Sequence, residues 1–98
     1  MELFGNIPII EEPQIITLCG STKFKDYFLL AARDLTLKGW IVLMPGVFGH
    51  ADNFELTVDQ KSKLDKLHLE KIIRSSAVLV LNIGGYIGAS TQSEINFA

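Results

Sequence analysis

The sequence predicts an α/β domain built on an open parallel sheet, and three observations carry that prediction. Three short apolar runs, at residues 15–19, 40–44 and 77–83, read as strands buried on both faces. Two long amphipathic patterns, at about 23–38 and 58–76, fall between them as helices. A further helix start follows the third strand, and the resulting β-α-β-α-β-α order implies right-handed crossovers and a spatial strand order 2-1-3. Ninety-eight residues make one small domain, 15–98, behind an arm at 1–14, near the lower limit for burying a core unaided.

Composition narrows the function classes. With 48% hydrophobic and 20% charged residues the chain reads as globular rather than disordered. No apolar run approaches the roughly 18 residues of a membrane span, so no membrane partner is expected. The start, Met-Glu-Leu-Phe-Gly-Asn, lacks the basic region of a signal peptide, and the expected location is cytoplasmic. One cysteine excludes an internal disulfide framework and a multi-cysteine zinc site, and neither metal nor cofactor is expected. A net charge of −2 provides no broad footprint for nucleic acid. A small molecule or another protein is the expected partner.

The arm carries Pro8, Pro13 and the adjacent Glu11 and Glu12, with Ile7 to Ile10 as a candidate edge strand. Strand one, Ile15 to Cys19, reads as a continuous buried-type run, β-branched at three positions. It runs into Cys19-Gly20-Ser21-Thr22-Lys23, a tight turn and helix start where free N–H groups and the helix dipole favour an anion. The double-glycine spacing of a Walker A loop is absent. The first helix presents Phe24, Tyr27, Phe28, Ala31 and Leu35 as its apolar stripe and stops at Gly39. Leu30 and Leu37, one heptad apart on another face, are candidates for a contact between subunits.

After the second strand Pro45 opens a long connection through Gly46, Phe48, Gly49, His50 and Asp52, a length common in binding loops. Phe48 either stacks on a ligand's base or folds into the core, and His50 and Asp52 are candidate polar groups. On the second helix Leu64, Leu69, Ile72 and Ile73 share one sector of the wheel, and Asp65 and His68 project within it. Two readings follow: a buried Asp65–His68 hydrogen bond, or a helix face bordering a ligand crevice. The third strand leads into a second glycine-rich turn, with Gly84, Gly85, Tyr86 and Gly88, then Ser90, Thr91 and Glu94 at a helix start. Thr91 and Glu94 also have the spacing of a capping box. The two turns share the crevice outside the strand C-terminal ends, where Rossmann- and flavodoxin-like sheets bind ligands.

Cys19-Gly20-Ser21 after the first strand, together with Gly88-(x)5-Glu94-(x)3-Ala98, resembles the nucleoside 2-deoxyribosyltransferase-like family. Its members exchange bases on deoxyribose or hydrolyse 2′-deoxynucleoside 5′-monophosphates. The resemblance follows the order of elements from Ile15 to Ala98. It implies that Glu94 attacks the anomeric carbon, and that Ser21, Thr22 and Ser90 hold the sugar or its 5′-phosphate. Cys19, Gly20, Gly85, Gly88 and Thr91 would complete the substrate site, with Phe48 or Tyr86 stacked on the base. The family's helix acid aligns with Leu69 here, which leaves that role to Asp65 or His68. Members carry further strands after the glutamate helix, whereas this sequence ends two turns into it. The expectation is therefore a truncated or minimal domain completed by pairing, a homodimer or larger.

A looser resemblance links the chain to phosphoribohydrolases of the lysine-decarboxylase-like fold, which combine Cys-Gly-Ser with Gly-Gly-x-Gly-Thr-x-x-Glu. Here Ala89 follows Gly88 and Thr91 comes late. A nucleotide-binding module without catalysis fits the same crevice.

Overall fold

The computed structural model describes residues 7–49 and 51–81. Within them run β1 (Ile15–Cys19), α1 (Lys25–Leu37), β2 (Ile41–Leu43), α2 (Val58–Ile73) and β3 (Ala77–Val80), with a 3-10 turn at Thr22–Phe24 leading into α1. The strands are parallel in the order β2-β1-β3. Ile16 of the central strand pairs with Val42 on one side and with Ala77 on the other.

The alternation of side chains along β1 assigns each helix to a face. Ile16 and Leu18 join Phe28, Ala31 and Leu35 of α1, with Trp40, Phe48 and Leu81, in one buried cluster. Thr17 and Cys19 point the other way and meet α2 at Lys71 and His68, with Ser75 just beyond the helix end. Two crossovers of the same hand that run in opposite directions along a sheet must use opposite faces, so a three-layer domain results. Full burial of Phe28 or Leu35 contributes about 1.5–3 kcal/mol each, and both are wholly buried.

α1 ends as its glycine predicts. Trp40 N–H donates to Leu35 O at 3.1 Å and Gly39 N–H to Thr36 O at 3.0 Å, the two bonds of a Schellman motif, with Gly39 at φ 98°. α2 begins in a capping box: Thr57 Oγ1 accepts from Gln60 N–H, and Gln60 Oε1 accepts from Thr57 N–H.

Several expectations are corrected. Residues 7–10 form no strand; Ile10 N–H donates to Lys38 O, and Trp40 Nε1 donates to Pro8 O, so the arm packs across the end of α1. β2 is shorter than 40–44 and Ile41 is 47% exposed, because among the described residues it pairs with β1 alone and has one open edge. α2 stops at Ile73, three residues early. Ser76 N–H already donates to Ile15 O there, which draws the chain into the sheet. Ile73 is consequently exposed rather than on the apolar face. No helix among the described residues is long and apolar enough to cross a membrane.

Candidate functional site

The centre of interest is the C-terminal end of β1. Cys19, the last residue of the strand, is 1% exposed and lies with its Sγ 3.4 Å from Nε2 of His68, itself 8% exposed. A thiol and an imidazole, the two most versatile nucleophile and proton-transfer groups in the chain, thus meet beneath the first turn. Their meeting follows from the direction of α2, which runs antiparallel to β1. Ser75 and Lys71 O reach Thr17, and one turn earlier His68 reaches Cys19.

Above Cys19 the chain turns through Gly20. A Cβ on Gly20 would meet Leu81 Cβ and Leu81 O at 3.2 Å and Phe28 Cζ at 3.3 Å. Gly20 thus lies close under the segment leaving β3, whose Leu81 N–H donates to Cys19 O at 2.7 Å, and a side chain there would have to push that segment aside by a few tenths of an ångström. Ser21 Oγ accepts from Lys23 N–H at 3.4 Å and caps the 3-10 turn. Thr22 opens that turn and is half-buried.

α2 supplies the wall. His68 and Ile72 are its buried residues, with Leu64, Leu69 and Lys71 half-buried. Asp65 is exposed and its carboxylate pairs with Lys61 Nζ at 3.2 Å. The expected burial of Asp65 within the apolar sector is corrected: the helix starts beyond the strand end, so its first turns have little of the sheet beneath them. Leu64, one turn before His68 on the same face, stands at that end. Lys71 Nζ donates to Met44 O at 2.8 Å and ties the same helix to the exit of β2.

Comparison of this chain with family models, curated proteins and solved structures produced no match.

Of the candidate site residues, the fold brings Cys19, Gly20, Ser21, Thr22 and His68 to one end of the sheet, with Asp65 on the first turns of the adjoining helix. Phe48 is a core residue: it is 6% exposed and packs edge-on against Phe28 at 5.3 Å between ring centroids. Asp52 takes the Lys25 ammonium through both carboxylate oxygens, at 2.9 and 3.1 Å, and so ties the long connection to the start of α1. His50, Gly85, Tyr86, Gly88, Ser90, Thr91 and Glu94 lie outside the described residues. No group of three or more His, Cys, Asp or Glu that could hold a metal occurs among the described residues.

Thr17 and Ser75 are not among the candidate residues, yet the structure joins them. Thr17 is fully buried, its hydroxyl donates to Lys71 O at 3.1 Å and lies in contact with the Ser75 hydroxyl, which donates to the same carbonyl at 2.7 Å. A lone threonine in an otherwise apolar strand is the signal that marks this polar contact.

Proposed function

We propose that this domain binds a nucleoside or nucleotide at the C-terminal end of its sheet and cleaves or transfers its N-glycosidic bond. The observation that carries the proposal is the convergence of the Cys19-Gly20-Ser21 turn and the imidazole of His68 at the end of the central parallel strand. Open α/β sheets place ligands at that end. The resemblance to the nucleoside 2-deoxyribosyltransferase-like family supplies the nucleophile, Glu94.

In this reading the Glu94 carboxylate bonds to the anomeric carbon as the bond from that carbon to the base nitrogen breaks. The bonding electron pair leaves with the base, which takes a proton from His68, since the Asp65 carboxylate is paired with Lys61. Water, or a second base, then displaces the glycosyl group, its proton returns to the imidazole that protonated the leaving base, and the Glu94 carboxylate is restored. In this reading Ser21 and Thr22 hold the sugar or its phosphate, as the family resemblance implies, and Leu64 forms an apolar wall.

The burial of His68 against Cys19 favours a second reading, in which that pair is structural and the domain binds a nucleotide without turning it over. Incubation with 2′-deoxynucleoside 5′-monophosphates, followed by chromatography for free base, separates the two. Release of base that falls by orders of magnitude in Glu94→Gln, with the fold retained, is the expected result. Unchanged release in that variant removes Glu94 from the mechanism. Saturable binding with no release selects the binding module, and absence of both overturns the proposal.

A further inference from the structure

The outward face of α1 carries a second feature, independent of the crevice. Its exposed positions are Asp26, Leu29, Leu30, Arg33, Thr36 and Leu37. Three of the six are leucines, 47%, 41% and 82% exposed in order, where a solvated face would be polar. Asp26, Leu29, Leu30 and Arg33 together line an open hollow of about 410 Å³. Asp34 on the same helix is neutralised by Lys38 at 3.0 Å. Asp26 and Arg33, by contrast, have no ion-pair partner among the described residues, and their seven-residue separation, about 10 Å along the axis, keeps them from pairing with each other.

We infer that α1 is a self-complementary surface whose occupant is a second copy of this chain. The placement of the charges selects that occupant. A two-fold axis crossing the helix midway between Leu29 and Leu30 makes two α1 helices antiparallel. It sets Leu29 of one copy against Leu30 of the other, and brings Asp26 opposite Arg33 at both ends of the contact. Both opposite-charge pairs form from one symmetry operation, and both leucines are covered. A parallel arrangement would instead put Asp26 against Asp26 and Arg33 against Arg33. Two 13-residue helices cover less than the roughly 1,200 Å² of a stable complex, so this contact makes a dimer that depends on concentration.

The test is sedimentation of the whole chain over about 10 μM to 1 mM, where interactions of this class populate. The wild type moves from monomer to dimer across that range. Asp26→Arg and Arg33→Asp each replace two attractive pairs with two like-charge pairs, and each raises the dissociation constant at least about tenfold. An equimolar mixture of the two variants regains the dimer, since each chain now complements the other. The double variant Asp26→Arg/Arg33→Asp regains it with itself. Leu30→Glu provides a route that leaves the charges in place, and it too yields a monomer with an unchanged melting curve. A wild type that stays monomeric throughout, single variants that associate as the wild type does, or a mixture no more associated than its components each overturns the inference.

Discussion

Thr17 shows how much a single buried hydroxyl decides. It stands between Ile16 and Leu18 in the central strand, and on the apolar face a valine would serve. Its own face, however, meets the last turn of α2, where the Lys71 carbonyl takes bonds from both Thr17 and Ser75. Thr17→Val keeps the shape and removes one donor, while Ser75 still satisfies the carbonyl. The expected loss is about 1 kcal/mol, typical of a neutral hydrogen bond removed without orphaning its partner. A shift in the urea midpoint with unchanged slope would register it. A midpoint equal to the wild type would show that the Thr17 hydroxyl contributes nothing beyond its volume. His68 belongs to the same face, and its inward direction was legible from the helical wheel. Its partner Cys19 was not, because 49 residues separate the two and only the path of α2 along β1 joins them.

At the scale of the element, the two helices are bounded by different devices, and the costs of removing them differ. Gly39 has a positive φ, and a Cβ there would lie 2.5 Å from Ile10 O. Gly39→Ala therefore meets both a left-handed backbone and a backbone oxygen, and should destabilise by about 2 kcal/mol or more. Thr57→Ala removes only an exposed capping hydroxyl and should cost about 1 kcal/mol. Thermal melts of the two variants should rank Gly39→Ala as the less stable, and the reverse order would contradict the structural role given to the arm. Asp65 is the instructive failure at this scale. A helical wheel has an angle but no axial coordinate, so it places Asp65 beside His68 without registering that the sheet ends between them.

Across the whole molecule, the long connection between β2 and α2 is held by what it buries. Phe48 enters the core beside Phe28, Lys25 lies 5.8 Å above its ring, and Asp52 closes onto Lys25. The connection thus continues the packing of the α1 layer. Phe48→Ala should destabilise the domain by about 3–5 kcal/mol, as for other aromatic truncations in cores. Such a loss would be visible as a lowered midpoint in a single cooperative transition. A loss below about 1 kcal/mol would mean that this connection is a solvated loop whose aromatic is free to meet a ligand.

Three buried-type runs, two amphipathic intervals and a glycine stop are local patterns. Those patterns alone dictate the parallel sheet, the 2-1-3 order, the stripe Phe28, Ala31 and Leu35, and the end of α1. Local patterns suffice there because each records the period or turn that its own segment must adopt. Tertiary structure alone decided that Gly20 answers to Leu81 and Phe28, that Phe48 is core, that Asp65 is solvated with Lys61, and that Cys19 meets His68. Each of those is set by where an element ends in space relative to another, a quantity that depends on packing between distant segments and leaves no periodic trace in the chain.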